Sequence, residues 1–238
     1  MTTRDVVERT WDRRAPHWHE HVNSADGFHQ VRDAVLHAAR PGSSDDCVDL
    51  GAGTGFLTLA LAPEVRSVLA VDISPVMCSA LAEQARAVGA DNVDLQVADL
   101  AGLRLPAHSV DLVVSSYALH HLVDADKHAL VQEVARWLRP GGRLVVADMM
   151  FGRGGSTRDR RILAQKVRVL AAKGPGGWWR IVKNLARFGF GVGQEHPAAP
   201  ELWVRSLHDA GFVDVVFLPV VAEAGLVTGV RPAGSGRP

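Results

Sequence analysis

The run Val48-Asp49-Leu50-Gly51-Ala52-Gly53-Thr54-Gly55-Phe56 has the makings of a ligand-binding turn. Apolar residues give way to glycines and then to helical spacing, so a strand ends, the chain turns sharply and a helix begins. Glycines at such a turn let the backbone approach a ligand that side chains would exclude. A glycine-rich turn alone is weak evidence, because many α/β folds bind many ligands there. The spacing says more. A dinucleotide fingerprint reads G-x-G-x-x-G and seats a pyrophosphate on the helix N-terminus. Here the spacing is G-x-G-x-G, Phe56 occupies the final glycine position, and Asp49 precedes the turn. An acid there repels a pyrophosphate and welcomes an ammonium group. A nucleoside-like ligand with a positively charged end fits this pattern.

Two more acids extend it. Asp72, in Val71-Asp72-Ile73-Ser74, ends the next apolar run, 21 residues beyond Gly51. A carboxylate there can accept hydrogen bonds from both ribose hydroxyls. Asp99 follows a third run and can accept from an exocyclic adenine amine, with Ile73 and Leu100 flanking the ring. Any one of these acids reads equally as a helix N-cap or a turn aspartate. All three at successive strand ends converge on the crevice where open α/β sheets bind ligands.

The elements that must position these residues follow from hydropathy. Runs at 47–50, 68–71, 93–97, 110–115 and 143–147 read as strands, with helical segments at 55–62, 75–88 and 125–138 between them. Such alternation predicts a doubly wound α/β fold, a parallel sheet with helices on both faces. Upstream, residues 3–21 have helical spacing, and a second helix runs from Gly27 to Ala39 with Phe28, Val31, Val35 and Ala38 inward. After residue 150 the rhythm breaks, resuming with a helix at 200–209 and strands at 212–218 and 224–230. One domain over 1–238 is expected, with an N-terminal helical cap (1–40), a core (45–150), an insert (151–198) and a C-terminal helix and strands (199–231).

With these residues in view, the chain resembles the class I S-adenosylmethionine-dependent methyltransferases of the ubiquinone/menaquinone-biosynthesis-like (type 11) group. The resemblance rests on VDLGAGTGFLTLALA, VLAVDIS, VADLAGLRLP, DLVVSSYALHHLVD and RWLRPGGRLVVADM, over roughly 46–150. It implies a Rossmann-like seven-stranded sheet with the last strand antiparallel and a helical insert after the fifth strand. It also implies S-adenosylmethionine as cofactor and a small-molecule acceptor, with the methylated atom (O, N or C) left open. Carried over by position, Asp49, Gly51, Gly53 and Gly55 hold the methionine portion. Asp72 holds the ribose and Asp99 and Leu100 meet the adenine, with Thr54, Ile73 and Met77 as further cofactor-binding positions. Ser115 and Ser116 fall beside the methyl-transfer site. Members that methylate base or amide nitrogens often carry an Asn/Asp-Pro-Pro-aromatic motif after the fourth strand. This chain has Ser115-Ser116-Tyr117-Ala118, so nucleic-acid base methylation is not expected.

Methyl transfer from a sulfonium mainly needs alignment and exclusion of water, with a base only where the acceptor must lose a proton. His120 and His121 are the candidate bases, histidine titrating in the right range. In the family such a pair usually shapes the cofactor pocket or packs under the sheet, and His121 is then the cofactor-side residue. On the acceptor side stand Trp11, His17, Trp18 and Tyr117. Core packing is the other reading of Trp11 and Trp18. His17, His19 and His21 invite a metal, but no third ligand follows at a matching spacing, so none is expected.

Lysine plus arginine number 26 and aspartate plus glutamate 26, for zero net charge. That balance is uneven along the chain: residues 1–150 hold 13 basic and 20 acidic side chains, residues 151–200 hold 10 and 2. The basic stretch occupies the family's acceptor-recognition position. Its two helix-like parts, 157–172 and 177–188, interleave charge with apolar residues that include Trp178 and Trp179. It reads as a lid over the acceptor, with lipid contact through 157–188 as the alternative. No nucleic-acid recognition module accompanies the charge. Cys47 and Cys78 sit in apolar runs and read as buried thiols. No membrane-spanning stretch or signal peptide is visible, so a cytoplasmic protein is expected, peripheral at a membrane if the insert touches lipid. Arginine outnumbers lysine 22 to 4, which fits a GC-rich bacterial genome. The expected function is S-adenosylmethionine-dependent methylation of a small molecule, amphipathic, lipid-like or a specialised metabolite. The alternatives are a nicotinamide-dependent oxidoreductase, disfavoured by the glycine spacing, and a non-catalytic S-adenosylmethionine-binding protein.

Overall fold

The computed structural model describes residues 7–15, 18, 26–152, 157, 159–161, 164, 167–168 and 195–233. Residues 7–15 are helical. Then follow α1 (Asp26–Ala39), β1 (Asp46–Leu50), a single helical turn α2 (Thr58–Leu61), β2 (Ser67–Asp72), α3 (Pro75–Val88) and β3 (Val93–Val97). The chain continues through β4 (Val110–Ser116), α4 (Asp124–Trp137), β5 (Leu138–Met149), α5 (Pro200–Asp209), β6 (Val213–Pro219) and β7 (Ala224–Val230). No helix among the described residues is long and apolar enough to cross a membrane.

Seven strands form one sheet in the order β3-β2-β1-β4-β5-β7-β6. The pairs β1–β2, β2–β3, β1–β4 and β4–β5 are parallel, while β7 runs antiparallel to both β5 and β6. The sheet is thus the expected one, with the last strand alone reversed. Its strand order turns back between β1 and β4, which leaves a crevice at their carboxyl ends.

The central strands are apolar on both faces because helices cover both. Along β4, Leu112 and Val114 face one core with Val31, Val35 and Leu61, while Val113 faces the other with Leu130, Val134 and Trp137. In β5, Leu144 and Val146 divide from Val145 and Ala147 in the same way. This period of two is what a pleated strand imposes. Cys47 and Cys78 are free and buried, as expected.

Local chemistry sets the element ends. Ser74 caps α3, its side chain accepting from Met77 N at 3.1 Å; Pro75 opens the helix, and left-handed Gly89 (φ 69°) closes it. The expected helix over 55–62 shrinks to one turn, because Gly51, Gly53 and Gly55 all take positive φ and keep the chain turning until residue 57. Strand β5 begins at Leu138, five residues before the apolar run that signalled it. A Cβ on Gly142 would stand 2.8 Å from Arg139 O and 3.0 Å from Asp111 O, so glycine lets the strand start through a bulge.

Candidate functional site

A cavity of about 370 Å3 opens at the carboxyl ends of β1 to β4. Its floor is the β1 turn. Asp49, the penultimate residue of β1, is buried and accepts a 2.6 Å hydrogen bond from Thr58 Oγ1. The three glycines of the turn have separate tasks. A Cβ on Gly51 would fall 2.1 Å from the Ala118 Cβ, so glycine lets the β1 and β4 loops close on each other. A Cβ on Gly55 would fall 2.2 Å from Leu81 Cδ1; Gly55 serves the packing of α3 and does not line the cavity. Gly53 lines it, and its N–H donates to Asp72 Oδ2 at 2.8 Å.

Asp72, at the end of β2, also accepts from Ser74 N at 2.9 Å. These bonds fix its carboxylate at the cavity wall beside Ile73 and Met77. Asp99, after β3, caps the 3-10 turn Leu100–Gly102 by accepting from Ala101 N at 3.1 Å, and both Asp99 and Leu100 line the cavity. The N-cap reading of Asp99 and the ligand-facing reading therefore coexist. Thr54 lines the cavity too; its hydroxyl is buried without a hydrogen-bond partner among the described residues. Such an orphan is uncommon and marks a place for a ligand's polar atom.

No lysine or arginine among the described residues lines the cavity. Burial pushes the Asp49 carboxyl up to about 7, the Thr58 bond pulling against that and the nearby Asp72 charge reinforcing it. Burial also raises Asp72, against the bonds from Ser74 and Gly53. Two close carboxylates held this way favour a ligand that brings a cation.

The β4 loop divides the expected residues. Ser116 and Tyr117 line the cavity; Ser115 is fully buried and donates to Leu50 O at 2.7 Å, tying β4 to β1. His121 lines the cavity, whereas His120 does not. The His120 ring turns inward, its Nδ1 2.6 Å from Asp148 Oδ1, and the His120 backbone N–H donates to Asp148 Oδ2 at 2.8 Å. Burial works against a charged His120, but Asp148 outweighs it and raises the imidazole's pKa. Burial likewise pushes Asp148 up, yet His120 and neighbouring N–H donors hold it low. Both shifts favour the charged forms, and the pair braces the 3-10 turn Leu119–His121 that presents His121. Of the two candidate bases, only His121 stands where a ligand can reach it.

The opposite wall is aromatic. Trp11 meets His121 and Trp18 edge-on at 5.2 and 5.1 Å, Trp18 meets Phe28 at 6.0 Å, and Phe28 meets Tyr117 at 4.9 Å. Tyr117 holds a left-handed backbone (φ 52°), anchored by its N–H to Ala147 O at 2.9 Å. The helix over 7–15 docks across this wall: Ser74 Oγ donates to Asp12 Oδ1 at 2.6 Å, tying it to the cap of α3. His17, Trp178 and Trp179 lie outside the described residues.

The sequence reading missed Asp148, Asp126 and His196. A lone acid in the apolar run VVADM was a signal for Asp148, since a buried acid needs a partner. Nothing marked His196. Its N–H donates to His120 O and its carbonyl accepts from the buried Lys127 ammonium, which places it on the cavity after the insert.

Three acids at successive strand ends, a glycine turn and this sheet order are features that this chain shares with class I S-adenosylmethionine-dependent methyltransferase domains. Members of this class take their methyl group from S-adenosylmethionine. Residues 47–142 match the methyltransferase-domain family. An uncharacterized methyltransferase of Geobacillus thermodenitrificans is 31% identical over 144 residues, 60% of this chain and 61% of its own length. A malonyl-[acyl-carrier protein] O-methyltransferase of Hahella chejuensis is 38% identical over 127 residues, 51% of this chain and 42% of its own. This chain therefore spans about three fifths or less of these relatives' lengths. The structure of Haemonchus contortus phosphoethanolamine N-methyltransferase 1, with phosphoethanolamine and S-adenosylhomocysteine, superposes with a TM-score of 0.70. It is 20% identical, and the match covers 100% of this chain and 51% of that one.

Proposed function

We propose that this protein is an active methyltransferase that binds S-adenosylmethionine in the cavity at the ends of β1 to β4 and methylates a small molecule held against the aromatic wall. The observation that carries the reading is the convergence of Asp49, Asp72 and Asp99 on one cavity. In this reading Asp49, Gly51, Gly53 and Thr54 hold the methionine portion, Asp72 and Ile73 the ribose, and Asp99 and Leu100 the adenine. Bound there, S-adenosylmethionine supplies a methyl group already activated by its sulfonium. The chain's own part is to orient the acceptor and exclude water, through Trp11, Trp18 and Tyr117 on one side and Ser116 and His121 on the other.

The Hahella and Haemonchus proteins are named for different acceptors, so neither name fixes the acceptor here. The basic insert keeps its proposed role as a lid; its contact with lipid through 157–188 rests on charge and aromatic content alone. Liposome flotation with and without acidic lipid tests that contact, and salt-insensitive failure to bind would end it. For the reaction itself, the protein is incubated with methyl-labelled S-adenosylmethionine and a panel of small alcohols, phenols, amines and carboxylates. Acceptor-dependent formation of S-adenosylhomocysteine is expected; its absence across a broad panel, with the cofactor bound, would indicate a binding protein.

A further inference from the structure

Two backbone donors set the Asp72 carboxylate, and each belongs to a residue that the N-terminal segment touches. Asp72 Oδ1 accepts from Ser74 N at 2.9 Å, and Oδ2 accepts from Gly53 N at 2.8 Å. The Ser74 hydroxyl donates to Asp12 Oδ1 at 2.6 Å. Over Gly53 stands Trp18, whose Nε1 would lie 3.5 Å from a Cβ built there. The helix over 7–15 and Trp18 thus rest on both supports of one carboxylate.

Ser74 makes the tighter link. It is fully buried, and its hydroxyl oxygen already accepts from Met77 N at 3.1 Å. That leaves its proton for Asp12, so one residue fixes the start of α3, the Asp72 carboxylate and the N-terminal helix together. A hydrogen bond to an ionised group is about twice as strong as a neutral one. A helical stretch as short as 7–15 is marginal by itself in water, so its order depends on its docking.

The helix matters to the other end of the cavity through Trp11, which precedes Asp12. Trp11 lines the cavity and meets Trp18 and His121 edge-on at 5.1 and 5.2 Å. Burial raises the Asp72 carboxyl, and the charge of Asp12 adds to that. The two carboxylates therefore repel each other across Ser74. Ribose hydroxyls donating to Asp72 spread its charge and ease that repulsion, which favours the docked helix.

We propose that Asp12 is a positioning residue that couples the two ends of the cavity. Through Ser74, ribose binding at Asp72 strengthens the seating of the helix over 7–15, and with it the place of Trp11 in the aromatic wall. Such coupling is reciprocal, so the seated helix strengthens cofactor binding by the same factor. This proposal rests on the methyltransferase reading above and adds the residue that joins its two sites.

Hydrogen exchange over residues 7–15 of the full chain, read by mass spectrometry, tests the coupling. Saturating S-adenosylhomocysteine is expected to slow exchange there about tenfold in the wild type, the weight of one charge-assisted bond. In Asp12→Ala, exchange should be fast with or without S-adenosylhomocysteine. Calorimetry should then show the affinity for S-adenosylhomocysteine lowered by about the same tenfold factor. If Asp12 only props the helix, Asp12→Ala speeds exchange equally in both states and keeps the ratio between them; that result overturns the proposal. Wild-type exchange that S-adenosylhomocysteine leaves unchanged, although it binds, overturns it as well and needs no variant. No binding of S-adenosylhomocysteine to the wild type overturns the methyltransferase reading and the proposal with it.

Discussion

The two ends of the cavity are built by different rules. At the end proposed for the cofactor, Asp49, Asp72 and Asp99 sit at or just past strand ends and are fixed by bonds from the turns and the helical turn around them; Asp49 takes Thr58 Oγ1. Asp99 takes Ala101 N, and Asp72 takes Ser74 N and Gly53 N. The aromatic wall, proposed for the acceptor, is gathered from Trp11 in the helix over 7–15, Trp18, Phe28 of α1, and Tyr117 and His121 of the β4 loop. One end is a consequence of the sheet; the other is an assembly of remote pieces. Away from the link between Asp12 and Ser74, substitutions should therefore act on the two ends separately.

The largest effect on ligand binding is expected from Asp72→Ala. The change strips two backbone N–H groups of their acceptor and should weaken S-adenosylhomocysteine binding about a hundredfold by calorimetry. Unchanged affinity would remove Asp72 from the cofactor site. Gly51→Ala is expected to disturb both ends, since the new methyl meets Ala118 Cβ and the backbone is left-handed. A loss of about 2 kcal/mol in denaturant unfolding is expected; a neutral result would show that the two loops can part without penalty.

A pH dependence separates Asp49 from the acceptor end. Its carboxyl is raised to about 7 in the free protein, and a cationic ligand favours the ionised form. S-adenosylmethionine should therefore bind about tenfold tighter at pH 8 than at pH 6, because the ionised fraction rises by about that factor. Thr58→Val, which removes the hydrogen bond that lowers this group, should move the transition upward.

Asp148→Asn addresses the brace under His121. His120 is raised, so its share of the pair's stability is full below about pH 6.5 and is lost as pH rises through its folded value. Asp148 is lowered, so its share is present above about pH 4 and is lost as pH falls through its folded value. The Tm difference between wild type and Asp148→Asn should be largest between about pH 5 and 6.5, where about 3 kcal/mol is at stake. A difference that does not vary with pH would deny the pair its charge. The smallest effect is expected from His121→Gln, which should leave S-adenosylhomocysteine affinity within about threefold while altering acceptor turnover.

The same division explains what the sequence made legible. Strand-end acids and glycine turns are written into short runs, so Asp49, Asp72 and Asp99 could be read directly, whereas the seven-stranded sheet with its reversed last strand came only with the family resemblance. Helix α3 was bounded to the residue because Ser74-Pro75 and Gly89 punctuate it. Strand β5 was read short because its opening residues, Arg139-Pro140-Gly141-Gly142, look like a turn, and only pairing with β4 extends the strand. His120 and His121 are adjacent and identical in type, so no pattern could say which faces the cavity; the buried Asp148, 28 residues on, decides it. Ser115 and Ser116 alternate across a strand for the same reason, one turned to Leu50 and one to the ligand side. His196 reaches the cavity through two backbone anchors, and backbone anchors leave no trace in side-chain types.

The central claim is that the cavity at the ends of β1 to β4 is a site for a sulfonium-bearing nucleoside. Titrating the wild-type protein with S-adenosylmethionine and, separately, with NAD tests it most directly. One S-adenosylmethionine bound per chain, with no heat from NAD, is the predicted result. NAD binding in its place would contradict the account.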